Sequence, residues 1–442
     1  MNELQPSPAL RPSACPGLWR IVQALDGGIS RIKLNGGEIS AGQADAVAEA
    51  AERFAIGVIE LTNRSNLQIR GIGTERDALI ACLLAAGLGP TQMAGDDVRN
   101  LMLSPTAGLD RAMLFDTRPL ARQILDSLQS SPRFQQLSPK FAVQLDGGEA
   151  MAMLRHPHDL WLSPLSLEGQ PWLAFGLAGC PSEDGALGAV PLAQGHALVL
   201  AVLNTFLDLA SPEQARMRQL LATMDVEAFV ARLPLTLRRD VAVRQWRRGV
   251  GDLAQPLGVY PQLQPDHAAV CAVAPLGRLS VEQLRGVARL AREWGDGSLR
   301  MTPWQGVLLP NVAVEQASAA LAGLSALGLL CDVREPLARL VACTGSTGCA
   351  KALSDTKGDA QRLAPLLSRS GPLGAVHLSG CQRSCAMAHA APATLLAVGP
   401  GHYDLYFHDP AQPGLGVLSG RNLTIEEAGV YLDTRLWSNI DD

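Results

Sequence analysis

The sequence predicts an α+β fold built by duplication, with two related half-units and two α/β segments surrounding one central site. Three observations predict it. Residues 34–72 align without gaps on residues 274–312 at a constant offset of 240. Each copy carries the same succession of short strand, capped helix and extended run. Four of the nine cysteines fall in two close pairs, each in a glycine-bearing turn beside an apolar run.

The duplication rests on eight identical pairs: Gly37/Gly277, Ser40/Ser280, Gln43/Gln283, Val47/Val287, Ala48/Ala288, Ala51/Ala291, Gly57/Gly297 and Thr62/Thr302. In each copy a short strand ends at the first glycine, and Ser40 or Ser280 stands where it caps the following helix. Ala44, Val47, Ala48, Ala51 and Phe54 form one apolar stripe, mirrored by Leu284, Val287, Ala288, Ala291 and Trp294. A glycine then breaks the helix and an extended run follows, which gives two βαβ-type units packed about a pseudo-two-fold axis.

After the shared threonine the copies diverge. The first runs Asn63-Arg64-Ser-Asn66-Leu-Gln68-Ile-Arg70, read as a strand with polar side chains on one face and apolar ones on the other. The second has Pro303-Trp304-Gln305-Gly306, so only the first keeps an arginine array.

Between the copies lie Asp97-Val-Arg99-Asn100, Ser104-Pro-Thr-Ala-Gly108, and residues 137–143, read as a strand leading to Asp146-Gly147-Gly148. The apolar run 197–203 is far below membrane-spanning length and reads as a buried helix. Residues 211–250 read as a helical connection dense with Arg238, Arg239, Arg244, Arg247 and Arg248, a solvated face or a contact for something acidic. Residues 422–442 read as a surface helix.

The cysteines come in the second copy's extension, as Cys343-Thr-Gly-Ser-Thr-Gly-Cys349 and Cys381-Gln-Arg-Ser-Cys385. Four thiolates from two loops are what a [4Fe-4S] cube requires, one sulfur per iron. Spacing alone leaves a four-cysteine zinc site and unrelated core cysteines open, although structural zinc generally uses tighter pairs than the five-residue gap here. His377 and His389 flank the second pair; they read as packing or hydrogen-bonding residues, with a separate non-haem iron as the alternative.

Composition sets outer bounds. At 442 residues the chain is long enough for two to four units. A net charge of −5 gives no global pull toward nucleic acid or an anionic membrane. Residues 1–16 lack an apolar core flanked by basic residues, so no secretory signal is expected. Nine cysteines without one point to a reducing, cytoplasmic setting. No glycine-rich dinucleotide fingerprint follows a strand.

Arg31-Ile-Lys33, Thr62-Asn-Arg64-Ser-Asn66-Leu-Gln68-Ile-Arg70-Gly71, Asp97-Val-Arg99-Asn100, Leu137-Ser-Pro-Lys140-Phe and the two cysteine pairs together resemble the sulfite and nitrite reductase superfamily. The resemblance runs from about residue 17 to 407. It implies two ferredoxin-like half-domains at 17–90 and 251–325, α/β domains at 91–210 and 326–442, the connection at 211–250, and a flexible N-terminus over 1–16. It implies that Cys343, Cys349, Cys381 and Cys385 ligate a [4Fe-4S] cluster, the last bridging to sirohaem iron where sirohaem is present. Arg64, Arg99 and Lys140 become the catalytic candidates. Arg31, Asn66, Gln68 and Arg70 become ligands of the tetrapyrrole.

Within the superfamily, sulfite reductases place a second lysine two positions after the first and nitrite reductases an asparagine. This chain has Ala142 there. Its cysteine loops are most similar to the precorrin-3B synthase branch of aerobic cobalamin biosynthesis. That branch oxidises precorrin-3A with O2 and electrons derived from NAD(P)H, delivered by a reductase or ferredoxin, hydroxylating C20 and closing a γ-lactone. The alternative is a sirohaem-dependent assimilatory sulfite or nitrite reductase.

Overall fold

Ser40 and Ser280 do the same work in both copies. Ser40 Oγ accepts from Gln43 N at 3.1 Å while Gln43 Oε1 accepts from Ser40 N at 3.0 Å. Ser280 and Gln283 repeat this reciprocal cap at 3.2 and 2.9 Å. The capped helices, Ala41–Phe54 and Val281–Trp294, bury the expected stripes, except that Trp294 is only half-buried. Each glutamine also donates to a carbonyl past the copy's second helix, Gln43 to Ala86 O and Gln283 to Leu327 O.

In this computed structural model, residues 15–249, 256–367, 374–412 and 414–438 are described, so the segment expected over 1–16 lies outside them save for Cys15 and Pro16. The chain divides into two compact units. One is Met1–Val22 with Leu88–Gly251; the other is Gln23–Gly87 with Asp252–Asp442, and holds both copies of the duplication.

The copies are not the βαβ units expected. Strand Glu38–Ser40 of the first copy pairs antiparallel with Ser298–Met301 of the second, and Arg278–Ser280 of the second pairs with Val58–Leu61 of the first. Each five-stranded sheet is therefore finished by a strand from the other copy. A βαβ unit would need its two strands in one sheet. Here the helix carries the chain from one sheet to the other.

The run 63–70 is also only partly strand. Thr62 N and O bond Asn66 O and Ser65 N, Thr62 Oγ1 accepts from Asn66 N at 3.0 Å, and Ser65 takes φ +56°. The strand proper is Leu67–Ile72. Thr302 builds the same turn, with Gln305 at φ +58°. This accounts for the identity at Thr62 and Thr302: the hydroxyl closes the hairpin.

The longer segments form two further sheets with one topology. Strands Leu101–Leu103, Val143–Leu145 and His158–Leu167 run parallel, then Gln170–Gly179 and Gly188–Pro191 add antiparallel. In the other unit Leu340–Ala342, Val376–Ser379 and Ala393–Gly399 are parallel, and His402–Phe407 and Val417–Leu423 antiparallel. Loops leaving adjacent parallel strands emerge at the same sheet edge, where open α/β sheets place their ligands. Those loops begin at Ser104 and Asp146 in the first sheet, and at Cys343 and Gly380 in the second.

Residues 137–142 are not strand as expected. Pro139 has no N–H to give a ladder, and Ser138 folds a turn by accepting from Phe141 N through its carbonyl and from Lys140 N through Oγ. The stretch Leu192–Leu209, which includes the helix Gly195–Leu209, is long and apolar enough by composition to cross a membrane, yet Leu198, Val199, Val202, Leu203 and Phe206 lie in the core of its unit.

The stretch 211–249 contains three five-residue helices, Met217–Leu221, Val226–Val230 and Val241–Gln245. The five arginines from Arg238 to Arg248 are engaged within the unit. Arg238 bonds Asp240 and Glu168, Arg239 and Arg244 share Glu227, Arg247 caps backbone carbonyls, and Arg248 meets Asp146 at 2.9 Å. The terminal helix Ile425–Ser438 packs Ile425, Ala428 and Leu432 into its unit.

Candidate functional site

The cysteine loops leave the ends of Leu340–Ala342 and Val376–Ser379, which pair in parallel with Ala342 opposite Leu378. That pairing brings two distant motifs together. Cys343 N donates to Leu378 O at 3.3 Å, and Gly380 N donates to Cys343 Sγ at 3.3 Å. Thr356 Oγ1 stands 3.4 Å from the same sulfur. A side chain at Gly380 would lie 2.6 Å from Ala352 Cβ and 3.4 Å from Cys343 Sγ, so only glycine lets the loops close this tightly. Gly345, at φ +76°, makes the turn between the first two cysteines.

Cys343, Cys349 and Cys381 are half-buried and Cys385 is exposed. Partial loss of water raises the Cys385 thiol, and Cys381, Cys343 and Cys349 raise it further. The four sulfurs thus share one electrostatic neighbourhood. Among the described residues no three His, Cys, Asp or Glu side chains are grouped to hold a single metal ion. Four thiolates on two converging loops are the donor set that a [4Fe-4S] cube takes, one sulfur per iron.

His377 lies in strand Val376–Ser379, 1% exposed, with Nε2 lacking a hydrogen-bond partner. Burial and His389 hold its pKa down at about 4. It is a neutral imidazole within the sheet, and among the described residues no group of three His, Cys, Asp or Glu includes it and His389.

The arginine array divides by role. Arg31 and Gln68 face each other across paired strands; with the Gln68 amide turned so that its oxygen, not its NH2, faces the guanidinium, Gln68 Oε1 accepts from Arg31 Nε at 3.0 Å and Nη2 at 2.8 Å. Arg64 lies half-buried in the hairpin turn. Arg70, expected among the tetrapyrrole ligands, is 4% exposed and already paired. It bonds Asp26 twice at 2.8 Å, Glu60 at 3.5 Å and Gly348 O at 3.2 Å. The chain itself supplies the carboxylates that a ligand was expected to bring. Asn66 is likewise committed: its Oδ1 accepts from Leu34 N at 2.8 Å, fixing the hairpin to the preceding glycine turn.

Arg99 and Lys140 belong to the other compact unit. Arg99 is 6% exposed; Nη2 bonds Asp96 at 3.3 Å, Nη1 bonds Gly89 O at 3.5 Å, and Nε has no partner. Lys140 is exposed at the tip of its turn, which Asn100 Nδ2 holds by donating to Asp97 O, Pro139 O and Phe141 O. Ala142 is 2% exposed, its N donating to Asp159 Oδ2 at 2.9 Å.

Where this unit's sheet presents the ends of its parallel strands, hydroxyls and carboxyls replace cysteines. Ser104 bonds Met151 O, Thr106 bonds Asp110, and Asp146 accepts from Ser163, Gly148 N and Arg248. Glu149, fully buried, is pushed up to about 8 by burial and by Asp146.

Glu60, Thr344, Lys357 and Asn63 were not foreseen. Asn63 Nδ2 donates to Ala386 O at 3.3 Å and Cys385 O at 3.5 Å. Glu60 sits in Val58-Ile-Glu60-Leu61, a pattern that reads as one outward charge on a half-buried strand. Nothing in local spacing links it to residues 344 or 357.

Sequence comparison matches residues 94–239 to the nitrite and sulphite reductase 4Fe-4S domain, and residues 23–85 and 260–327 to the nitrite/sulfite reductase ferredoxin-like half domain. The four paired cysteines lie beyond both matched ranges. The chain is similar to a ferredoxin–nitrite reductase of Synechococcus elongatus, 30% identical over 83% of this chain and 76% of that one. A chloroplastic ferredoxin–nitrite reductase of Zea mays is 31% identical over 82% and 68%. A precorrin-3B synthase of Sinorhizobium sp is 27% identical over 89% and 82%. The solved NirA protein of Mycobacterium tuberculosis superposes with a TM-score of 0.74 at 23% identity, over 92% of this chain and 79% of that one. That likeness is one of fold: α+β, with two ferredoxin-like half-domains and a 4Fe-4S domain.

Proposed function

Because the chain belongs to the nitrite and sulfite reductase family of oxidoreductases, we propose that it is a precorrin-3B synthase, oxidising precorrin-3A with O2 and a reductant to the C20-hydroxylated γ-lactone. The observation that carries this reading is Ala142. By the resemblance of the Leu137–Phe141 motif, its methyl group, 2% exposed, occupies the position to which the family's reductases would bring a lysine or an asparagine. A small oxyanion loses a polar contact there, while a tetrapyrrole with eight carboxylates is held mainly by cations elsewhere. The match to the precorrin-3B synthase also spans more of both chains than the matches to the nitrite reductases named above.

Cys343, Cys349, Cys381 and Cys385 would hold the [4Fe-4S] cluster, which supplies electrons one at a time. The remaining work belongs to the polypeptide. Arg31, kept in one orientation by Gln68, and Arg64 present guanidinium forks that match carboxylates bidentately. Arg99, with Nε lacking a partner, and the exposed Lys140 are the cationic candidates of the other unit, considered by itself. Such contacts orient the ring so that one methine carbon is oxidised and one acetate closes on the macrocycle. Electrons would come from a separate reductase or ferredoxin in the cytoplasm.

The second reading, reduction of nitrite or sulfite at sirohaem, is favoured by the 30–31% identities to ferredoxin–nitrite reductases. The deciding experiment is anaerobic purification with an absorption spectrum, acid-acetone extraction, and assays with precorrin-3A and O2, nitrite and sulfite. Cluster absorbance without extractable sirohaem, together with turnover of precorrin-3A, supports the synthase. Stoichiometric sirohaem with nitrite or sulfite turnover replaces it by the reductase.

A further inference from the structure

One buried carboxylate gathers more partners than any role in the strand requires. Glu60 is 8% exposed and lies on Val58–Leu61, outside the cysteine motifs. Arg278 Nε donates to Oε1 at 2.9 Å and Arg70 Nη1 to Oε2 at 3.5 Å. Lys357 Nζ stands 3.9 Å from Oε1, and Thr344 Oγ1 is 3.2 Å from each oxygen.

Each of these partners but Arg278 also reaches the first cysteine loop. Thr344 follows Cys343 directly. Arg70 donates to the carbonyl of Gly348, next to Cys349. Lys357 donates to the carbonyl of Ala342, just before Cys343, at 3.2 Å. Two points of the loop, and the end of the strand that leads into it, are thus pinned, and all three pins converge on one carboxylate.

We propose that Glu60 is a positioning residue for the Cys343–Cys349 loop and sets the reduction potential of the cluster that the loop would hold. The inference rests on the cluster reading above. Glu60 and Asp26 carry two negative charges against three positive ones on Arg70, Arg278 and Lys357. Neutralising Glu60 leaves the cations in excess beside the thiolates, which favours the reduced cluster. Removing the Lys357 charge does the opposite. It also releases the loop, since a buried hydrogen-bond partner is lost.

The test uses the full chain purified anaerobically, as wild type, Glu60→Gln, Lys357→Met and the double variant. Iron and sulfide per chain, the rate of iron loss to a chelator, and the midpoint potential by EPR-monitored titration are measured. Glu60→Gln is expected to lose iron about tenfold faster and to titrate at a more positive potential. Lys357→Met is expected to move negative, with the double variant between them. An unchanged potential in Glu60→Gln, or shifts of the same sign in both single variants, overturns the proposal. Should Glu60→Gln not accumulate folded protein, Thr344→Val removes one pin alone; faster iron loss then supports the proposal and an unchanged rate overturns it. Wild-type protein lacking iron and sulfide refutes the cluster reading itself, whatever the variants do.

Discussion

Gln68 holds Arg31 from the neighbouring strand, its one carbonyl oxygen accepting from both Nε at 3.0 Å and Nη2 at 2.8 Å. A long cation is thereby held in one orientation on the face of its strand. Arg31→Ala or Arg64→Ala is expected to weaken tetrapyrrole binding about tenfold or more, at the strength of a charge-assisted pair. Gln68→Ala is expected to have a smaller effect of the same sign. Equilibrium titration with thermal melts run alongside checks this, and unchanged affinity removes the residue from the binding surface.

Cys385 is the exposed member of its set. Cys385→Ser is expected to abolish the cluster's EPR signal and lower the iron content, leaving the fold of the Ala393–Gly399 sheet intact by circular dichroism. A retained signal would remove Cys385 from the ligands.

Glu149 gives a pH dependence whose sign follows from its burial. Its pKa rises from the ordinary 4.5 to about 8, so the folded state holds a proton that the unfolded chain releases between those values. Its contribution to stability is present at and below 4.5, falls as pH rises, and is lost above about 8. Glu149→Gln is expected to flatten the fall in Tm across this window. Parallel melting curves for the two proteins would contradict it.

Asp159 is 1% exposed and accepts from Arg216 Nε, Met217 N and Ala142 N. Asp159→Ala strands a partly buried guanidinium and two backbone donors, and is expected to cost about 3–5 kcal/mol. Urea denaturation checks the figure. A loss under about 1 kcal/mol would show that water replaces the carboxylate there.

Much of this was legible in the chain. Ser40 and Gln43, three residues apart, announce a capped helix, and their recurrence at Ser280 and Gln283 announces the duplication. The paired cysteines announce converging loops. What spacing could not reveal was which sheet a three-residue strand joins, because Glu38–Ser40 satisfies a strand pattern equally well beside either copy. The surroundings of the arginines were hidden for a related reason. Arg70 alternates correctly with Gln68, but whether a guanidinium waits for a ligand depends on Asp26 and Glu60, carboxylates that only folding brings near. Lys357 and Thr344 were hidden by the same long-range pairing.

The exchange of Glu38–Ser40 and Arg278–Ser280 also governs what can be cut from this protein. A fragment ending before residue 211 would carry the first sheet without its fifth strand and expose a bare edge of unpaired N–H and C=O groups at Val58–Leu61. The complementary fragment would leave Ser298–Met301 equally open. Each piece is the template that the other needs, so the halves form one heritable block, unable to be shuffled into another protein singly without carrying an aggregation-prone edge along.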